Sequence, residues 1–408
     1  MASLAAQRSL ALTTPDEHGD GLHPAPRHGT VLLWNQRSAG QQWRKIHPGD
    51  DLARALTQHA GGRDRFMSVN EFDGWRLVRL LRSLRAVYVD IDRHLSVEAA
   101  LLAVEDAMLP SPNYVIQSGR GIHLYWLIDS VPPKALPVWQ AIQRKLVRIL
   151  EETGADKACT DCTRVLRIVG SVNSKAEDKE VIGYIVNPNR WTLRSLADEI
   201  LGFRDQRPAR SGRVTSLERK RASQAVHRAT GTFQLWHSRY RDLCLIAEHH
   251  AFMKPGGLSD GRDRMLFLMA NALSWFAPAE RIRDEIRRVA QTYMPTYTLA
   301  QAERLTRPIV SRALQAAGGQ KVEFQGQSVD ARYRFRSDTI RDWLGPELLT
   351  DELEPQLSVL CSEERLAERK KERDQARYKT RREDSLMRKK PWEAEGISRA
   401  TWYRRQKS

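Results

Sequence analysis

The segment 85–92, RAVYVDID, constrains the fold more than any other part of the chain. Its β-branched and aromatic residues mark a strand. Side chains alternate along a strand, so Asp90 and Asp92 at its end share one face. Two carboxylates held there repel each other and need an added cation or a strong basic partner to stay ionised. A hard divalent ion with oxygen ligands, Mg²⁺ or Mn²⁺, meets that need. The alternative is a pair of solvated acids in a turn.

Strand and helix patterns surround this segment. VLLWN (31–35) reads as a strand, DDLARALTQHA as a helix, and LSVEAALLAVEDAM (95–108) as a helix capped by Ser96. NYVIQS and IHLYWLI, joined by GRG, read as a hairpin. LPVWQAIQRKLVRILEETG (136–154) is an amphipathic helix closed by Gly154. RVLRIVG and EVIGYIV are short strands, and WTLRSLADEI (191–200) is a helix. The expected fold class is α+β.

A length of 408 residues implies two or three domains. The boundaries read as a disordered tail (1–28), a mixed strand–helix domain (29–203), a basic linker (204–231), a helical bundle (232–345), and a charged helix with a terminal motif (346–408). The formal charge of +16 points to polyanionic partners. Four cysteines in so long a chain do not make a disulfide scaffold, so a reducing, cytoplasmic setting is expected. No apolar run of membrane-spanning length and no secretion signal is read, and no membrane partner is expected.

Two further segments carry chemistry. Ser118-Gly119-Arg120-Gly121-Ile122-His123 offers a tight turn with exposed N–H groups suited to an anion, and His123 opens the next strand. An imidazole there could donate to a phosphate oxygen; the bland alternative is a hairpin with a satisfied histidine. Residues 154–175 hold Asp156 and Asp161, then Arg164 and Arg167, then Gly170, Asn173 and Lys175. An acid followed by such a cluster suits a nucleoside triphosphate with its metal. Cys159 and Cys162 form a single C-x₂-C, weak grounds for zinc. P-loop, G-x-S-x-G and H-E-x-x-H motifs are absent from the sequence.

In order and spacing, AVYVDID, QSGRGIHLYW and D…D-x-x-RVLRIVGSVNSK resemble the archaeo-eukaryotic primase superfamily, most of all the RepB-type plasmid and phage replication primases and related primase-polymerases. The resemblance covers roughly residues 29–203 and implies an RRM-like catalytic module. It implies that Asp90, Asp92 and a third acid, Asp156 ahead of Asp161, hold two divalent ions, Mg²⁺ or Mn²⁺. Ser118, Gly119, Arg120, His123, Arg164, Arg167, Asn173 and Lys175 would bind the nucleotide, and His123 would be part of the catalytic set. Val169 stands where the family usually has proline. The implied activity is nucleotidyl transfer: a DNA primase making primers de novo on a single-stranded DNA template from nucleoside triphosphates, with primer extension as a further capacity. GGLSDGRDRMLFLMANALSWF resembles the helical domain that follows the catalytic module in such primases. Lacking a P-loop, the chain would borrow a replicative helicase in trans. A non-catalytic replication initiator or regulator keeping the fold is the competing reading, and a nucleotidyltransferase of repair or CRISPR-associated adaptation shares the same chemistry.

The last 47 residues carry 16 basic and 9 acidic side chains. Residues 390–405, KPWEAEGISRATWYRR, resemble a helix-turn-helix half of resolvases and small mobile-element proteins. Gly396 would make the turn and Ser398 the cap, and Arg399, Thr401, Arg404 and Arg405 would face duplex DNA. The alternative is a solvated helix with a basic end. Either would grip DNA in a salt-sensitive way.

Overall fold

The computed structural model describes residues 11–36, 42–202, 216–254, 260–324 and 326–383. Its centre is the strand Leu81–Ile91, whose residues from Ser83 to Val89 are all buried. The helix Val97–Asp106, the strands Tyr114–Gln117 and Ile122–Val131, and the helix Leu136–Ile149 follow in turn. The three strands lie in the order second, third, first, with antiparallel neighbours. This is the β-α-β-β-α run of an RRM-like sheet. Glu71–Phe72 extends the sheet on one side, and Ile182–Ile185 and Ala11–Thr13 extend it on the other. No helix among the described residues is long and apolar enough to cross a membrane.

The helix Leu136–Ile149 buries Leu136, Trp139, Ile142 and Leu146 at helical spacing. Trp139 Nε1 donates to the Ala86 carbonyl at 2.8 Å, which locks the helix to the long strand. The helix ends at Ile149, not at Gly154. From Leu150 the chain must swing back so that Ala155 bridges Ile91, and Gly154, at φ +101°, makes that reversal.

A second sheet runs Trp43–Ile46, Val31–Asn35, Arg65–Ser68, Val165–Arg167, all antiparallel. Direct cross-strand partners Trp43, Trp34, Phe66 and Arg167 make one row across all four strands. The neighbouring partners Leu33, Met67 and Leu166 are buried.

The N-terminal segment departs from the expected tail. Residues 1–10 lie outside the described residues, but from Ala11 the chain is part of the fold. Thr14 caps the helix Pro15–Leu22 in a capping box with Glu17, its N–H donating to Glu17 Oε2 at 3.0 Å. His18, Leu22 and His23 are buried. Gly19 and Gly21 give this segment the look of a loop, yet they are what lets it dock. A Cβ at Gly19 would collide with the Leu56 side chain, and one at Gly21 with the Tyr114 hydroxyl.

The chain forms two compact units. The first comprises Met1–His237, Ala270–Arg288 and Thr306–Arg332, and the second the intervening segments with Tyr333–Ser408. The span 232–345, read from sequence as one bundle, is therefore shared between them. The expected linker also differs: residues 216–231 belong to the helix Ser216–His249, while residues 204–215 lie outside the described residues. The basic composition suggested a linker, but 216–230 contains neither proline nor glycine to interrupt a helix. In the first unit, Glu285 accepts the Val78 N–H at 2.8 Å and lies 3.4 Å from Arg79. In the second, the buried Asp242 carboxylate accepts the N–H groups of Ser358, Val359 and Leu360 at 2.7–3.0 Å. That unit also holds the helix Ser337–Leu344 and the charged helix Glu363–Glu383. The helix-turn-helix segment, with Arg399, Thr401, Arg404 and Arg405, lies outside the described residues.

Candidate active site

Asp90 and His123 face each other as direct cross-strand partners, with His123 Nε2 3.6 Å from Asp90 Oδ1. Burial pushes the His123 pKa down to about 3, so the imidazole is neutral. Its Nδ1 is buried and has no hydrogen-bond partner among the described residues. Burial pushes Asp90 up to about 6, with Arg164 and Arg167 opposing and Asp156 reinforcing the shift. Asp92 is raised too, first by burial and then by Asp90 and Asp156.

The third acid beside this pair is Asp156. Its N–H donates to the Asp90 carbonyl at 2.8 Å. Ligand atoms of Asp90, Asp156 and Cys159 all lie within 4.8 Å of one another, a group that could hold a metal ion. Burial raises the Cys159 thiol well above its ordinary value, so it stays protonated. The donors in this group that suit a hard cation are therefore the carboxylates of Asp90 and Asp156. Asp161 is engaged elsewhere. Its Oδ1 accepts from the Thr163 N–H at 2.9 Å and hydroxyl at 2.6 Å, and its Oδ2 lies 3.3 Å from Arg164. It lines a neighbouring cavity of about 910 Å³ with Arg144, Lys157 and Arg281. The two cysteines of the C-x₂-C are free and buried.

Asp90, Asp92 and His123 open into a cavity of about 490 Å³. Ser118, Arg120, Gly121, Arg164, Arg167, Asn173 and Lys175 line it too. The turn is held from within and from across. Ser118 Oγ accepts the Gly121 N–H at 3.2 Å, and Asn173 Nδ2 donates to the Ser118 carbonyl at 2.6 Å. Gly119 sits at φ +92°, and a Cβ on Gly121 would strike the Ile91 carbonyl oxygen. Gly121 therefore lets the turn press against the strand that carries Asp90, and Gly119 supplies the left-handed bend.

Two residues that the sequence did not single out position this site. Asp64, fully buried, takes Arg167 Nη1 at 2.9 Å and also bonds the Ser174 N–H at 3.3 Å and its hydroxyl. Gln143, buried on the apolar face of its helix, accepts the Tyr88 N–H at 3.1 Å and donates to the Cys159 carbonyl at 2.9 Å. It ties the loop of Asp156 to the strand of Asp90. A glutamine in an otherwise apolar stripe was a readable signal; Asp64, in a GGRDR turn, gave none.

No family model matches the chain. A curated replication protein of Clostridium perfringens is 26% identical over 298 residues, which is 70% of this chain and 65% of that protein. The chain is similar to a replication protein. Solved structures with likeness to it include the AEP domain of the cyanophage S-2L primase-polymerase, 18% identical, covering 45% of this chain and 94% of that one, with a TM-score of 0.34. The catalytic domain of primase RepB′ in complex with initiator DNA is 13% identical, covering 49% and 87%, with a TM-score of 0.30. Scores this low transfer no geometry to this chain.

Proposed function

We propose that the chain is a DNA primase that builds primers de novo on single-stranded DNA by nucleotidyl transfer. The observation that carries this reading is one cavity lined both by Asp90 and Asp92 and by Arg164, Arg167 and Lys175. Acids that can hold divalent ions beside cations that can hold a triphosphate are what the reaction requires. The similarity to a replication protein supports a role in replication; we infer that the replicon is a plasmid, phage or other mobile element.

Asp90, Asp92 and Asp156 would hold Mg²⁺ or Mn²⁺, and the resemblance implies two ions. Bound there, the ions would supply charge neutralisation for the triphosphate and activation of the attacking hydroxyl. Arg120, Arg167 and Lys175 would hold phosphate oxygens, and the Ser118–Gly121 turn would let them approach the backbone. Neutral His123 lines the cavity beside Asp90 and would meet the nucleotide with its ring. Arg164 partly offsets the acids, and Asn173 positions the turn rather than touching substrate. The template would be single-stranded DNA, the helicase a partner in trans, and Arg399, Thr401, Arg404 and Arg405 would add duplex affinity.

The test is synthesis on unprimed single-stranded DNA from a labelled nucleotide mix with Mg²⁺ or Mn²⁺, beside Asp90→Ala. Short products from the wild type alone support the primase. No product from either protein, with DNA still bound, favours the non-catalytic initiator.

A further inference from the structure

The row Trp43, Trp34, Phe66, Arg167 runs from the edge of the second sheet into the wall of the candidate cavity. Trp34 and Phe66 line that cavity and Trp43 lies beyond it. Trp34 and Trp43 stack at 5.5 Å and 13°, Trp34 and Phe66 lie 4.9 Å apart, and Arg167 covers Phe66 at 4.7 Å. Trp75 continues the series, edge-on to Trp43 at 5.2 Å. All four rings are only half-buried. Cations pack on two of them: Arg76 lies 4.7 Å from the Trp43 ring, and Lys45 and Arg288 lie 5.8 and 5.5 Å from that of Trp75.

Three half-buried rings on a sheet and a fourth on the adjoining loop, with four cations packed on three of them, are costly as mere surface. Every base has a π-face and every linking phosphate a negative charge, so a single strand matches both components at once. The ring spacing exceeds the ~3.4 Å rise of stacked bases in a duplex, which suits an extended strand. We propose that this row is a stacking platform for the bases of a single-stranded template leading away from the candidate cavity. This deepens the primase reading and rests on it for the word template; the platform itself does not depend on catalysis.

The test is fluorescence anisotropy of labelled single-stranded oligonucleotides of about 20 nucleotides, thymine-only and adenine-only, with the full-length protein. Trp43→Ala should weaken both by about tenfold, and Trp43→Phe should stay within about threefold, since it keeps a ring. Nucleoside triphosphate binding should not change in either. Oligonucleotide binding unchanged in a Trp43→Ala protein that melts like wild type overturns the platform. A loss of triphosphate binding with intact oligonucleotide binding also overturns it and assigns the row to the incoming base. Should Trp43→Ala fail to fold, Arg76→Gln takes its place: a severalfold loss supports the platform, and no loss overturns it. The primase reading fails separately. Wild-type protein that makes no product, yet binds strands in a Trp43-dependent way, loses the catalytic assignment and keeps the platform.

Discussion

Asp64 and Arg167 form a buried ion pair, 2.9 Å from Oδ1 to Nη1, between residues 103 positions apart in the chain. Through it, a turn without an obvious motif sets the direction of a guanidinium in the candidate cavity. Asp64 also sits at φ +52°, a conformation that asparagine tolerates far better than alanine.

Removing this carboxylate leaves Arg167 buried without its counter-charge. Asp64→Ala should destabilise the protein by about 3–5 kcal/mol, and Asp64→Asn by less. In the folded fraction of Asp64→Asn, nucleoside triphosphate affinity should fall. Urea unfolding with triphosphate titration checks both, and unchanged affinity would separate Arg167 from nucleotide binding.

Asp156 and Asp161 make opposite predictions. Asp156→Ala should lower nucleotide incorporation by about 100- to 1000-fold, with little change in melting temperature. Asp161→Ala frees the Thr163 and Arg164 bonds and should instead cost about 1–3 kcal/mol of stability with a smaller effect on incorporation. Equal losses of incorporation, with both proteins stable, would contradict the geometry.

Glu285 gives a pH signature. Burial raises its pKa from 4.5 to about 7, against the opposing pull of Arg79 and the Val78 N–H. The folded state therefore binds an extra proton between those values. The stability this contributes is complete below about pH 4.5 and is lost as pH rises through 7, up to about 3 kcal/mol in all. Glu285→Gln should match the wild type near pH 5 and exceed it in stability near pH 8. Thermal melts across that range decide it; a gap that widens toward low pH would reverse the sign.

The terminal segment is testable by removal. Without residues 384–408, affinity for duplex DNA should fall and its salt dependence flatten, because fewer counterions are released on binding. Incorporation on a single strand should persist. Duplex binding identical to that of the full chain would sink the assignment of Arg399, Thr401, Arg404 and Arg405.

What could be read in the sequence was local. Asp90 lies in the strand Leu81–Ile91 and Asp92 just past its end, yet both line one cavity as the i, i+2 spacing suggested, and the Ser118–His123 turn follows from its glycines. The helix Leu136–Ile149 follows from its apolar stripe, although its end does not, because the swing that brings Ala155 to Ile91 is a tertiary demand. Asp64, the Trp43–Trp34–Phe66–Arg167 row and the N-terminal helix were hidden for one reason. Each exists through pairing between distant segments, and no period in the sequence encodes a register between strands far apart. Gly19 and Gly21 misled because the backbone freedom that marks a loop also permits close approach.

The strand Ala11–Thr13 covers Ile182–Ile185, which otherwise closes that side of the six-stranded sheet. Behind it, the Val169 N–H reaches His18 Nδ1 at 3.5 Å, a donor that a proline at 169 would lack. A chain trimmed to begin at residue 29, where the composition first looks ordered, would bare a row of backbone N–H and C=O groups. Such an edge recruits strands from other molecules. The cost of that trimming would be self-association, visible as oligomers in light scattering before any loss of secondary structure.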